Sequence, residues 1–171
     1  MTQMDSAEVH FHKGINETDN RGSFTKFWTH SSCNLCLNEF QPKEAFFSTS
    51  SKGVIRGFHF QKRPREISKI VKVLSGRILD VSFPVFPEIE PEFHSYVLDA
   101  KSEALYIPKN FAHAFQVISD EATVLYLTDG GYSKELDSGI HWSSYSKWEH
   151  LSLTISERDS SFPCIPGTSK P

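Results

Sequence analysis

Short apolar stretches rich in Val, Ile, Phe and Tyr recur along this chain, and each is bounded by turn-forming residues. The turn signals fall at Gly22-Ser23, Ser51-Lys52-Gly53, Ser75-Gly76-Arg77, Pro84 to Pro91, Pro108-Lys109-Asn110, Ser119-Asp120-Glu121 and Asp129-Gly130-Gly131. No stretch of useful length repeats apolar residues at helical spacing between caps, so the pattern predicts an all-β sandwich or barrel with short peripheral helices. The runs Lys69 to Leu74 and Arg77 to Phe83 read as a hairpin across Ser75-Gly76, and Ala122 to Thr128 reads as another core strand. Prolines bar the stretch from Pro84 to Pro91 from a central strand and suggest a surface loop. From Ser160 onward, with Pro163, Pro166 and Pro171, the tail is expected to lie extended on the surface or to be mobile.

Strand alternation sorts the side chains of these runs. Lys69, Val71 and Val73 share one face, and Ile70, Lys72 and Leu74 the other, so one of the two lysines must point inward. The same count groups Val124, Tyr126 and Thr128 opposite Leu125 and Leu127, which suggests a sandwich with a ligand-lined interior. A tyrosine whose hydroxyl caps a core hydrogen bond accounts for the pattern equally well.

At 171 residues, with 14 Phe, 5 Tyr and 3 Trp, the chain has the length and apolar volume for one domain across 1–171, with no internal repeat or linker. A net charge of -3 provides no global field for nucleic acid, although a local basic pocket can still hold a phosphate. The N-terminus lacks the basic start and apolar core of a signal peptide, and no apolar run reaches membrane-spanning length; the expectation is a soluble cytoplasmic protein. Cys33-Asn34-Leu35-Cys36 has the spacing of a redox or half-zinc motif. With only the distant Cys164 to add, reduced cysteines are the simpler reading. The pair His10-Phe11-His12 has ligand spacing but reads as exposed strand histidines, and His59-Phe60-Gln61 lacks the second histidine of a metal cupin, so no catalytic metal is expected.

His59 on its own reads as a satisfied core imidazole. Arg56 three residues earlier and Lys69 ten later add more positive charge than a core accepts without an anion, and favour an anionic or carbonyl ligand. Ser156-Glu157-Arg158-Asp159 supplies a carboxylate suited to orienting an imidazole, but the sequence alone does not bring it to His59.

Several motifs in order resemble the dTDP-4-dehydrorhamnose 3,5-epimerase family, from about Asn16 to Pro163. They are Asp19-Asn20-Arg21-Gly22-Ser23-Phe24, Gly53 through Gln61, Lys69, Ser75 through Val81, Ile107-Pro108 with Phe111-Ala112-His113, Val124-Leu125-Tyr126, Tyr132, Gly139-Ile140-His141-Trp142 and Ser156 to Asp159. The resemblance implies a cupin-type jelly roll without a cofactor, forming a homodimer whose exchanged N-terminal strands complete the neighbour's site. It implies His59 as general base held by Asp159, Tyr126 as acid on the opposite face of the sugar, and Lys69 at the carbonyl oxygen. Arg21, Arg56 and His113 fall where the family contacts the sugar nucleotide, and Tyr132 where an aromatic ring lies against substrate. The implied substrate is a nucleotide-diphosphate 4-keto-sugar, inverted at C3, C5 or both through an enolate. A 3,4-ketoisomerase and a non-catalytic sugar-nucleotide-binding jelly roll are the competing readings.

This chain departs from the family pattern in the shell around that machinery. Glu44-Ala45-Phe46 stands where the family has Gln-x-Asn, Lys26 stands where it has a glutamate two residues after the phenylalanine (here Phe24), and Ala114 follows His113. Chemistry retained with altered recognition is the expectation, with Phe24, Lys26, Glu44 and Phe46 among the substrate contacts and a substrate other than the usual thymidine-linked rhamnose precursor.

Overall fold

A computed structural model describes residues 8–29, 40–85, 91–168 and 170. Two five-stranded antiparallel sheets form a jelly-roll sandwich. Numbered in chain order, the first sheet runs β1 (His10–His12), β9 (Ala104–Ile107), β6 (Lys69–Ser75), β11 (Glu121–Thr128) and β4 (Glu44–Ser51). The second runs β12 (Asp137–Gly139), β5 (Ile55–Gln61), β10 (Phe111–Val117), β7 (Arg77–Pro84) and β8 (His94–Asp99). A separate two-stranded hairpin, β2 (Ile15–Asp19) with β3 (Gly22–Lys26), is exposed along its whole length. A short α-helix, α1 (Glu157–Ser161), follows the sheets.

Three apolar clusters explain why the strands read as nearly continuous hydrophobic runs. Between the sheets lie Val71, Val73, Leu105, Ile107, Phe115, Val117 and Val124. The outer face of the second sheet is covered by the chain's C-terminal part, with Phe58, Val81, Phe83 and Ala114 against Tyr145 and Trp148. The outer face of the first packs Ile70, Ala104 and Tyr106 against Phe40, Phe27 and Trp28. Strands buried on both sides lose the polar half of their alternation.

That layering overturns the expected hairpin. β6 and β7 lie in different sheets, and the chain turns the corner between them at Gly76. A single connecting residue is too short for a two-residue hairpin loop. Gly76 has φ +76°, and a Cβ there would stand 2.0 Å from the Glu121 carbonyl oxygen.

Other expectations hold in part. Tyr126, Val124 and Thr128 do share the buried face of β11. Lys69 and Lys72 are both buried, because Lys72, on the outer face, donates to the Ala100 and Ser102 carbonyls at 2.8 and 2.5 Å. The tail begins in α1 and is anchored beyond it. Pro163 accepts from His141 N at 2.8 Å, and Ile165 N donates to Ser144 Oγ at 3.1 Å. His12 is buried rather than exposed. Cys33 and Cys36, with most of the proline-rich loop, lie outside the described residues.

Replacing Gly76 by Ala is expected to lower unfolding free energy by about 1–2 kcal/mol from the left-handed backbone alone, and by more from the carbonyl clash. Urea melts check this, and an unchanged midpoint would place no strain at the corner.

Candidate active site

One end of the inter-sheet space is polar and open, a cavity of about 350 Å³ that is large enough for part of a small ligand. β5 brings Arg56 and His59 to it together. Residues three apart on a regular strand face opposite ways. Here β5 carries a bulge against β10, where His113 pairs with His59 but Phe115 pairs with Arg56, and both side chains reach the cavity. Gly57 makes the bulge possible, since its φ is +117° and a Cβ would lie 2.4 Å from the His113 carbonyl oxygen.

His59 Nε2 lies 2.8 Å from Asp159 Oδ1, and Gly57 N donates to Asp159 Oδ2 at 3.1 Å. α1 presents that carboxylate, and Ser156 caps the helix by accepting from Asp159 N at 3.1 Å. Burial pushes the Asp159 carboxyl up, but the hydrogen bond and charge of His59, with Gly57 N–H and Arg158, hold it below the usual carboxylate range. An ionised Asp159 only accepts, so it fixes the His59 proton on Nε2 and leaves Nδ1 with a free lone pair.

Across the cavity, β11 of the first sheet presents Tyr126. Burial and the Asp80 carboxylate push its phenol pKa up, against smaller opposing effects of Ser48 and Arg56, so the group keeps its proton. Phe46, paired with Tyr126 across β4 and β11, stacks on its ring at 4.9 Å between centroids and 19° between planes. Lys69 lines the floor, where desolvation pushes it down to about 8 while Asp80 and Asp137 oppose the shift. His113 bonds Asp80 Oδ2 through Nε2 at 2.7 Å, with both side chains fully buried. Desolvation outweighs the carboxylate and lowers the His113 pKa, with the charges of Lys69 and His59 adding to the effect.

Glu44 and Tyr132 stand at the rim, where Tyr132 N donates to Glu44 Oε1 at 3.2 Å and Tyr132 OH donates to Asp137 Oδ2 at 3.2 Å. Asp137 also pairs with Arg158, whose guanidinium lies over the Phe162 ring. Of the residues picked from sequence, the cavity thus gathers Glu44, Phe46, Arg56, His59, Lys69, His113, Tyr126 and Tyr132, with Asp159 behind His59. Arg21, Phe24 and Lys26 stand apart on the β2–β3 hairpin, where Arg21 is ion-paired with Asp19.

Sequence reasoning missed Asp80, Ser48, Gln61, Asp137 and Arg158, whereas Thr128 lines the cavity on the face that alternation gave it. Asp80 carried the same signal as Lys69, a charge inside an apolar strand; the others reach the cavity from β4, β5, β12 and α1, in a strand and helix arrangement that only the fold reveals. Among the described residues, no group of three or more His, Cys, Asp or Glu side chains is placed to hold a metal ion.

An imidazole backed by a carboxylate on one wall and a protonated phenol on the other, with an ammonium between the sheets, are groups of the kind that can move protons, gathered in a jelly roll. Comparison with known proteins sharpens that class. The family model for dTDP-4-dehydrorhamnose 3,5-epimerase matches residues 5–166. The dTDP-4-dehydrorhamnose 3,5-epimerase of Shigella flexneri is 38% identical over 119 residues, which span 66% of this chain and 65% of that protein. The crystal structure of the enzyme of that name from Sulfolobus tokodaii superposes with a TM-score of 0.80 at 30% identity, covering 87% of this chain and 85% of the other. The Legionella pneumophila dTDP-6-deoxy-D-glucose-3,5-epimerase, in complex with dTDP-4-keto-L-rhamnose, gives a TM-score of 0.84 at 26% identity over 95% and 89%. The chain belongs to the dTDP-4-dehydrorhamnose 3,5-epimerase family.

Replacing Asp159 by Asn is expected to cost about 1.5–3 kcal/mol at pH 7, the range for a hydrogen bond to a charged group. Because the folded pKa is depressed, this stabilisation is complete above the unfolded value of about 3.9 and is lost as pH falls through the lower folded value. Denaturant melts of both proteins from pH 7 to 3 should therefore converge toward acid. A constant gap would mean that the ionised carboxylate is not the stabilising species.

Proposed function

We propose that this protein inverts C3, C5 or both of a nucleotide-linked 4-keto-deoxysugar, without a cofactor, as a cytoplasmic homodimer. The supporting observation is that His59 with its carboxylate, and Tyr126 with a retained proton, face one cavity from opposite sheets. A proton on carbon is acidic only beside a carbonyl that can take up the electron pair. His59 Nδ1 removes that proton, and the C–H electrons move into the ring to give an enolate. Lys69 lies where its charge can stabilise the enolate oxygen, as preorganised electrostatics requires. Tyr126 then donates its phenolic proton to the opposite face of the carbon, the tyrosinate is reprotonated from solvent, and the His59 imidazolium returns its proton to solvent. Arg56, which is anchored by its Nε donating to Ser50 Oγ at 2.8 Å, turns its forked donors toward a diphosphate.

The fully exposed β2–β3 hairpin supports the dimer. A two-stranded ribbon is marginal by itself. Arg21, Phe24 and Lys26 on that ribbon are then contacts offered to the partner's cavity. Phe46 and Glu44 support a substrate other than the usual thymidine-linked rhamnose precursor, with the Phe46 ring against a less polar part of the sugar.

The test is incubation in D₂O with a panel of 4-keto sugar nucleotides, read by NMR. Solvent deuterium is expected at the inverted carbon, and His59→Asn is expected to slow its uptake by about 10²- to 10⁴-fold. Tyr126→Phe should impair epimerisation more than the first proton removal. A product whose ketone has moved makes the protein a ketoisomerase. Tight binding with no deuterium on any substrate makes it a binding protein.

A further inference from the structure

Asp159 fixes the His59 ring at one point, and one point does not aim a ring. The contact from Nε2 to Asp159 Oδ1 is 2.8 Å long. A histidine ring turns over a broad range about its last side-chain torsion. A single bond therefore leaves its tilt open, and the His59 side chain keeps 33% of its surface exposed. A second contact comes from the C-terminal segment. The Phe162 ring meets the imidazole edge to face, with centroids 5.9 Å apart and planes at 76°, a favoured geometry for aromatic pairs. His59 lines the cavity and Phe162 does not, so Phe162 touches the imidazole without taking up substrate space.

Further contacts keep Phe162 in place. It fills the space over Gly139, the β12 residue paired with His59 in the β5–β12 ladder. A Cβ on Gly139 would lie 2.2, 2.4 and 2.6 Å from three atoms of the Phe162 ring. The Gly139 backbone lies outside the left-handed region, so the ring, and not the chain path, calls for glycine there. From α1, the Arg158 guanidinium stands 5.4 Å from the centre of the same ring, within cation–π reach, and pairs with Asp137 of β12. Phe162 also ends α1, extended at φ -60° and ψ 151°, and the next carbonyl, that of Pro163, accepts from His141 N at 2.8 Å. A five-residue helix has little stability of its own. These contacts, with the Ser156 cap, therefore decide where Asp159 stands.

We infer that Phe162 is a positioning residue for the base, a wedge that sets the tilt of the His59 imidazole and seats α1 so that Asp159 reaches it. This role deepens the one proposed for His59 and rests on it. The tilt of the imidazole matters when the C–H bond breaks and little while substrate binds. Loss of the ring is therefore expected to slow proton removal and leave substrate affinity nearly unchanged.

Deuterium exchange into 4-keto sugar nucleotides by the wild type, Phe162→Ala, Phe162→Leu and Gly139→Ala tests the role. In Phe162→Ala, kcat is expected to fall about 10- to 100-fold with KM within about threefold. Phe162→Leu, which keeps apolar bulk over Gly139, should lose less, and Gly139→Ala, whose Cβ displaces the ring, should reproduce the loss. Because Phe162 acts through the His59–Asp159 pair, Phe162→Ala should cost less in an Asp159→Asn background than alone. If Phe162→Ala does not fold, Phe162→Leu and Gly139→Ala carry the comparison. Wild-type kcat in those two variants, with only a lower thermal midpoint, would overturn the role and leave Phe162 as packing; additive losses would do the same. If the wild type exchanges no deuterium, the epimerase reading fails, and ring-nitrogen NMR of His59 tests the placement by itself. Its tautomer ratio is then expected to change in Phe162→Leu, and an unchanged ratio would overturn the wedge.

Discussion

The Asp159 carboxylate holds together parts of the chain about a hundred residues apart. It accepts from His59 Nε2 and from Gly57 N, so one side chain locks both the His59 imidazole and the bulge that brings it inward. Without the bulge, Arg56 and His59 would face opposite sides of β5, and the cavity would lose one of them. Without the carboxylate, the imidazole would be free to carry its proton on either nitrogen. The C-terminal turn is thus part of the site, which explains why its helix is short, capped by Ser156 and followed by residues pinned to the sheet.

The sandwich divides its interior into two chemistries. At one end Val71, Val73, Leu105, Phe115 and Val124 make an ordinary core, and at the other Lys69, Asp80, His113, His59 and Tyr126 crowd together. Buried ionisable groups of this density do not stabilise a fold, since desolvation offsets their mutual attraction. Burial perturbs two of them in the directions that the proposed proton transfer at carbon uses: the Tyr126 phenol keeps its proton and the Lys69 ammonium is brought down to about 8. Apolar cover on both outer faces carries the stability that this polar end does not supply.

Alternation in β11 was legible because one face pairs Tyr126 with Thr128 and the other is leucine, and the buried charges at Lys69 and His59 stood out against apolar neighbours. Four features were not legible. The corner at Gly76 looks like a hairpin because turn residues mark a reversal of direction without saying which sheet receives the next strand. The Gly57 bulge changes the count of faces within a strand, and strict alternation cannot anticipate that. Asp159 comes to His59 from a short helix and Asp137 to the cavity from a three-residue strand, segments too short to show a period in the sequence. The family likeness supplied what periodicity could not for Asp159, and it also drew in Arg21, Phe24 and Lys26, which lie away from the cavity within one chain. The burial of His12 depends on cover from a different part of the chain, which local composition does not encode.

Ring-nitrogen NMR of His59 at neutral pH addresses the central interaction most directly. With Asp159 ionised and accepting, the proton should reside on Nε2 and Nδ1 should show the shift of a bare nitrogen, and Asp159→Asn should disturb this preference. A proton resident on Nδ1, or the same tautomer in the variant, would contradict the role of Asp159 as the group that orients the base.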